Sequence, residues 1–378
     1  MMSFAGLLVL LYVGVLLYLL FGFHQLKKDF GKNIPPKMTF SVVIPLRNEA
    51  ENLPKLFASL KKLYYPQEFF EILLVNDASE DTSEALCREF IKAEKGLNVK
   101  LLQNDRRSNS PKKDAIDTAV LRAENDYIIT TDADCVLPQK WLQEFNSRLV
   151  ATGAKLLAGP VMTEHQEGSK MSFLELFQEI DFLSLQMATM GGFGVGQPFM
   201  CNGASLCYEK AAFLQLQGFE GNNGISSGDD VFLLEKFRKN GLKIDFLKSK
   251  EAVVLTTALP NLKTLFQQRQ RWAGKMSATN GIFGKLVGVL VLLMNLMIVL
   301  GFFASIFKLF PGGIFLFLFL LKFNVDFILI YSSAGFFDNE KVLKNYFWCS
   351  GIYPFFSSYV AINSLFGGYS WKGRHFKK

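Results

Sequence analysis

Residues 4–23 run without a single charge, and that run constrains the fold more than any other feature of the chain. In hydrocarbon every backbone N–H and C=O must be satisfied internally, which leaves only a helix or a closed barrel. Twenty helical residues rise about 30 Å, enough to cross the hydrocarbon core. No basic start precedes the run and no small-residue cleavage site follows it, so residues 1–24 read as an uncleaved anchor rather than a signal peptide. Lys27, Lys28 and Lys32 come next. Basic flanks prefer the cytoplasm, so the amino terminus is expected outside and the following chain in the cytosol.

Three further apolar stretches lie within 285–367. Leu286 to Phe307 is flanked by Lys285 and Lys308; Gly312 to Phe336 carries only Lys322 and Asp326; Tyr346 to Phe366 is uncharged but contains Pro354. If all three crossed the bilayer, the basic tail 368–378 would land outside, against the positive-inside tendency. A cytosolic tail is therefore expected, with the last stretch a re-entrant or interfacial hairpin broken at Pro354. Lys322 and Asp326 are four apart and share a helix face. They read either as a self-neutralising pair between helices or as a polar patch beside an acceptor's entry route.

The chain is 50% hydrophobic with 38 Phe, and its 41 Lys and Arg against 34 Asp and Glu give +7. That modest basic excess suits an anionic membrane surface or a phosphate-bearing substrate, and without a Lys/Arg stripe it excludes a nucleic-acid partner. The five cysteines are scattered without a CxxC pair, and only three histidines are present. Both facts argue for reduced thiols in a cytosolic compartment and against a zinc site.

Residues 38–256 have ordinary globular composition and alternate between two periods. Short β-branched or apolar runs at 39–45, 70–75, 99–102 and 127–131 read as buried strands; 52–63, 82–93 and 115–123 have helical spacing. The alternation predicts an α/β fold with a doubly wound parallel sheet. Such sheets bind ligands at the carboxyl ends of their strands. Pro45, Asp77 and Asp132 all fall at such ends.

Asp132 and Asp134, one residue apart after YIITT, can grip Mg²⁺ or Mn²⁺ through oxygen while the ion bridges to a diphosphate; the bland alternative is a solvated turn. Asp77 suits a ribose or base edge as well as a plain Asx turn. Asp229 and Asp230 precede VFLL and so open a helix, where negative charge is stabilised in any case; one of them could also take a proton from an acceptor hydroxyl. Gln268 to Trp272 (QRQRW) could clamp a diphosphate and stack on a sugar, or simply anchor an interface. Pro111-Lys112-Lys113 offers a phosphate contact or surface charge. Residues 191–196 are Gly-rich without a preceding strand, and suggest a mobile loop over the crevice. Met171 to Met187 is amphipathic, which suits core packing or a membrane edge.

Together, IPLRNE (44–49), VNDASED (75–81), TTDADC (130–135), GDDVFLLEK (228–236) and QRQRW (268–272) resemble the membrane-integrated family 2 glycosyltransferases, which include polysaccharide synthases, ceramide glucosyltransferase and bacterial glycolipid-forming enzymes. The resemblance covers residues 39–272 and implies a GT-A fold in 38–256, an interfacial segment at 257–284 and inverting transfer. It implies that Pro45, Glu49, Asp77, Lys112 and Asp132 surround a nucleotide-sugar, with Asp132 and Asp134 holding Mg²⁺ or Mn²⁺. It makes Asp230 the base, although Asp229 replaces the usual Glu and Pro111 the usual Gly. It assigns Asp229, Gln268, Arg271 and Trp272 to the acceptor and diphosphate. A UDP-linked donor and a membrane-lipid acceptor at the cytoplasmic leaflet of the inner membrane are expected. The alternatives are a processive or partner-assisted polysaccharide synthase acting on a growing glycan, a nucleotidyltransferase, and a non-catalytic scaffold.

Overall fold

The computed structural model describes residues 2–27, 34–164, 171–222, 228–366, 369–371 and 374–376. Lys28 and Lys32, which carried part of the orientation argument, lie outside the described residues, as do Lys372, Gly373, Lys377 and Lys378. The elements run α1 (Met2–Gln25), β1 (Phe40–Leu46), α2 (Leu53–Leu60), β2 (Phe70–Asn76), α3 (Ser83–Ala93), β3 (Val99–Gln103), α4 (Pro111–Arg122), β4 (Tyr127–Thr130) and β5 (Cys135–Val136). They continue with α5 (Trp141–Thr152), β6 (Leu156–Ala158), β7 (Val161–Thr163), α6 (Phe173–Gly194), β8 (Leu206–Glu209), α7 (Lys210–Gln215), α8 (Asp229–Lys239), β9 (Ile244–Phe246) and β10 (Val254–Thr256). The chain ends with α9 (Leu262–Ala278), α10 (Ile282–Ile306), α11 (Gly312–Phe336), α12 (Tyr346–Phe366), β11 (Tyr369–Trp371) and β12 (Arg374–Phe376).

Two compact units result. One holds 27–165 and 200–257; the other holds 1–26, 166–199 and 258–378. The expected continuous domain 38–256 is therefore interrupted, because 171–199 groups with the apolar helices.

In the first unit a seven-stranded sheet has the order β3-β2-β1-β4-β8-β6-β9. β1 pairs parallel with β2 and β4, and β2 with β3, as the alternation predicts. The far side departs from it: β8 is antiparallel to both β4 and β6. The reason is where the chain re-enters. Leu206 opens β8 opposite Thr130, at the carboxyl end of β4, so β8 can only run back down the sheet. Central strand β1 is buried almost throughout, as a strand covered on both faces should be. α2 turns Leu53, Leu56, Phe57 and Leu60 inward, and Phe57 stacks on Phe90 of α3 at 4.1 Å between ring centroids. A three-stranded sheet β5-β10-β7 completes the unit. All five cysteines are buried and carry thiols rather than disulfides.

Among the described residues, the second unit contains three helices long and apolar enough to cross a membrane, at 5–25, 282–306 and 312–336. α12 is one helix with Pro354 inside it, not the broken hairpin expected from the sequence. Pro354 removes one backbone donor, a loss that a helix packed among neighbours tolerates.

The Gly-rich stretch 191–196 is not a loop over the crevice. Gly191 to Gly194 form the last turn of α6, and they press against α1. A Cβ on Gly191 would stand 2.4 Å from the Leu19 carbonyl oxygen, and one on Gly22 2.2 Å from that of Gly191. Small residues at these positions let two helix backbones touch, which the sequence pattern alone mistook for a break. Lys322 and Asp326 form an ion pair, and the Tyr12 hydroxyl donates to Asp326 at 2.6 Å. The self-neutralising reading of these charges holds, and the pair ties α11 to α1.

Candidate active site

The carboxyl ends of β1, β2 and β4 bring the strand-end acids together. Asp77 follows β2 and is buried; its backbone N–H donates to the Leu46 carbonyl at 2.9 Å, joining it to the end of β1. Its Oδ1 accepts from Arg106 Nε at 2.5 Å and from Asn104 Nδ2 at 2.7 Å. Asn104 also donates to the Pro111 carbonyl at 3.0 Å, at the start of α4. Pro at the first helical turn is favourable, since its missing N–H would be unsatisfied there anyway. One residue on, Lys112 Nζ contacts Asp132 Oδ1 at 2.7 Å and Asp229 Oδ2 at 3.2 Å.

This linkage runs from Asp77 through Asn104 to the start of α4, and from Lys112 to both the end of β4 and the start of α8. Acids more than a hundred residues apart in sequence therefore share one neighbourhood. Burial alone would lower the Lys112 pKa; the charges of Asp132 and Asp229 overcome that and hold it above the usual lysine value. Gly203 lies over the pair, where a Cβ would come within 2.8 Å of Asp229 Oδ2 and 3.3 Å of Lys112 Nζ. A side chain there would push the Asp229 carboxylate out of its present place beside Lys112.

Asp229 and Asp230 open α8 and are both buried. Gly228, at φ +85°, supplies the left-handed turn into the helix that most side chains resist. Asp230 Oδ1 accepts from the Val231 N–H at 2.7 Å. Asp134 follows Asp132 in the turn before β5, and its carbonyl accepts from Thr257 Oγ1 at 3.3 Å. Pro45 pairs in register with Val75 near the end of β1. Glu49 is buried against the start of α2, where it accepts from Asn52 Nδ2 at 2.7 Å, while its N–H donates to Ser83 Oγ at 2.8 Å.

The chemistry of the acids fits a hard divalent cation. Among the described residues no cluster of three or more His, Cys, Asp or Glu is gathered as an all-protein cage. Mg²⁺ is characteristically held by one or two carboxylates, with water and substrate phosphate completing the shell. The Lys112 ammonium between Asp132 and Asp229 marks a place where positive charge is stabilised. Asp132 and Asp134 are the residues that would hold such an ion.

Gln268, Arg271 and Trp272 lie on α9, in the unit that contains the apolar helices. There Arg269, absent from the sequence expectations, is the buried cation of α9: its Nε donates to Asp181 at 2.6 Å, and its guanidinium lies 4.2 Å from the Trp272 ring centre. Arg106, Asn104 and Gly203 were missed too. Arg106 and Asn104 directly follow β3, so the strand-end rule that found the acids would have found them had it not been confined to carboxylates. Lys113, read as phosphate contact or surface charge, is 1% exposed.

Asp117, on the same helix, carries a testable consequence. Burial and then Asp114 raise its pKa to about 6. A carboxyl whose folded pKa exceeds its unfolded value costs stability as pH rises through that interval. Asp117→Asn is therefore expected to be the more heat-stable protein at pH 8 by about 1 kcal/mol, after allowance for partial exposure. The advantage disappears below about pH 4, where both states are protonated. Thermal unfolding of the purified protein at the two pH values measures it.

Residues 41–207 match glycosyl transferase family 2, and residues 127–349, more than half of the chain, match glycosyl transferase family group 2. Glycosyltransferase AglE of Haloferax volcanii is 29% identical over 34% of this chain and 41% of its own length. An undecaprenyl-phosphate 4-deoxy-4-formamido-L-arabinose transferase of Proteus mirabilis is 34% identical over 30% of this chain and 32% of its own. The probable glycosyltransferase YdaM of Bacillus subtilis is 25% identical over 68% of this chain and 61% of its own. The chain thus spans less than two thirds of each of these relatives. The mannosyltransferase PcManGT of Pyrobaculum calidifontis, solved with GDP-Man and Mn²⁺, superposes with a TM-score of 0.56 at 15% identity, covering 95% of this chain and 99% of that one; this is a likeness of fold. With its mixed α/β sheet, its acids at strand and helix ends and these family matches, the chain belongs to glycosyltransferase family 2.

Proposed function

We propose that the protein transfers a sugar, with inversion, from a nucleotide-diphospho-sugar to a membrane lipid at the cytoplasmic leaflet. The observation that carries this reading is the bridge from Lys112 to Asp132 and Asp229, which joins the donor-side acid to the helix bearing the base. Asp77, with Arg106 and Asn104, takes the nucleoside, alongside Pro45 and Glu49. Lys112 takes the diphosphate. Asp132 and Asp134 would hold Mg²⁺ or Mn²⁺, which when bound would neutralise charge on the departing nucleoside diphosphate. Asp230 accepts the proton of the acceptor hydroxyl as its oxygen attacks the anomeric carbon. Gln268, Arg271 and Trp272 keep the acceptor and diphosphate roles that the sequence resemblance gives them.

A lipid acceptor is supported by the undecaprenyl-phosphate transferase named among the relatives. It is also supported by the three candidate spans among the described residues, since export of a polymer needs a channel and three helices make a thin one. If those three cross, parity returns the chain after α11 to the side it occupied after α1, which suits a cytosolic basic tail.

The test is to incubate membranes containing the protein with labelled UDP-glucose, UDP-galactose, UDP-N-acetylglucosamine and GDP-mannose, with Mg²⁺, Mn²⁺ or EDTA. Label is expected in the organic phase from one donor, released as a nucleoside diphosphate, and lost with EDTA. Label in an ethanol precipitate would replace the lipid reading with the polysaccharide one. Release of pyrophosphate would identify a nucleotidyltransferase, and no transfer from any donor would favour a scaffold.

A further inference from the structure

Lys113 is fully buried in the catalytic unit, as Lys248 is, and the proposed chemistry does not use it. It follows Lys112 on α4 but points elsewhere. Its Nζ donates to the Asn222 carbonyl at 2.8 Å and lies 4.9 Å from the Phe232 ring centre and 5.9 Å from that of Phe219. Phe232 is on α8, directly beyond the acids. Phe219 and Asn222 belong to a turn that holds three left-handed residues, Gln217 (φ +58°), Gly218 (φ +49°) and Gly221 (φ +87°). The glycines adopt it freely, but Gln217 holds it only where its surroundings support it. Lys236, also on α8, donates to the Gly218 and Glu220 carbonyls at 2.8 and 3.2 Å.

Two lysines thus grip one turn, one from α4 and one from α8. α8 is located by α4 through both Lys112, which touches Asp229, and Lys113, which touches Phe232. We propose that Lys113 is a positioning residue for the proton-accepting step, fixing the start of α8 by its bond to Asn222 and its cation–π contact with Phe232, and favouring ionised Asp230 by its charge. The inference rests on the reading of Asp230 as the base.

The electrostatics agree with the geometry. Burial lowers the Lys113 pKa to about 8, against the opposing pull of Asp229 and Asp230 on α8 and of Asp117 and Asp114 on its own helix. Lys112 and Lys236 are the neighbouring cations. The ammonium is present below about pH 8 and is lost above it, so its support for Asp230 should fade on the alkaline side.

The full chain in lipid nanodiscs, with the donor that the wild-type protein uses from the panel above and Mg²⁺, provides the test. Lys113→Met is expected to lower kcat at least about 30-fold with the donor KM within about threefold, because a general base loses its efficiency when displaced. Its acidic kcat limb should move upward by about half a pH unit or more, since a nearby cation that favoured the carboxylate is gone. Lys113→Arg keeps the charge; it should recover about tenfold of the loss and leave the acidic limb in place. Equal impairment of both variants with an unmoved limb would reduce Lys113 to packing, and wild-type kinetics in Lys113→Met would also overturn the proposal. Binding of UDP and GDP by calorimetry reports whether each variant is folded. If neither is, the wild-type profile decides: a kcat that stays level from about pH 7 to pH 9.5 excludes the role. Asp230→Asn separates the two readings. If it retains transfer, the base assignment itself has failed; if it is inactive while Lys113→Met keeps an unmoved limb, only Lys113 is misassigned.

Discussion

Asp230→Asn is expected to lower kcat by about a thousandfold, within the range that a positioned general base contributes, while leaving nucleotide binding nearly intact. The substitution keeps the size of the side chain, and its Oδ1 can still accept from the Val231 N–H as the carboxylate does at 2.7 Å. It removes the negative charge and, with it, the capacity to take a proton. The residues that surround the donor in the proposed site, Asp77, Lys112 and Asp132, are untouched, so UDP or GDP affinity should change by less than about threefold. Transfer rates with saturating donor, paired with calorimetric nucleotide binding, distinguish this from unfolding. A variant that transferred sugar at more than a tenth of the wild-type rate would move the base to another residue. Asp229 is the next to examine, with the warning that its replacement also strips the 3.2 Å partner from Lys112.

Gly194→Val should destroy the packing of the unit of apolar helices rather than the chemistry. A Cβ at Gly194 would stand 1.8 Å from the Gly22 carbonyl oxygen, and a backbone atom cannot rotate away as a side chain would. Overpacking in a well-packed interior costs about 1–3 kcal/mol, and more where nothing can yield; here the expected loss is about 3 kcal/mol or more, enough to cut the yield of folded protein severely. Gly288→Val is the control. That glycine sits on α10, with nothing within 4 Å of where its Cβ would be, so the variant should behave as wild type. Yield and thermal stability of the detergent-solubilised variants provide the measure, and a stable Gly194→Val would refute the close contact between α1 and α6.

The two predictions differ in where their grounds could be read. Asp230 was legible in the sequence: an acid pair before an apolar run opens a helix, and a helix start is a local signal. The same holds for Asp77 and Asp132, each placed at a strand end by the change of period from two to 3.6. Gly194 was misread for an equally physical reason. Glycine weakens a helix locally, so a run of glycines reads as a break. In α6 the lost propensity is offset by contact with α1, and that partner is more than 160 positions away in the chain.

Local periodicity and the length of uncharged runs therefore determined the helices that suit a bilayer, the parallel half of the sheet, and the acids at its carboxyl edge, because each of these depends on residues adjacent in the chain. Tertiary structure alone decided that β8 returns antiparallel, that α6 joins the apolar helices, that Lys112 spans Asp132 and Asp229, and that Lys113 is buried. Each of those turns on which distant group neutralises a charge or accepts a close backbone approach, and sequence spacing carries no record of the partner.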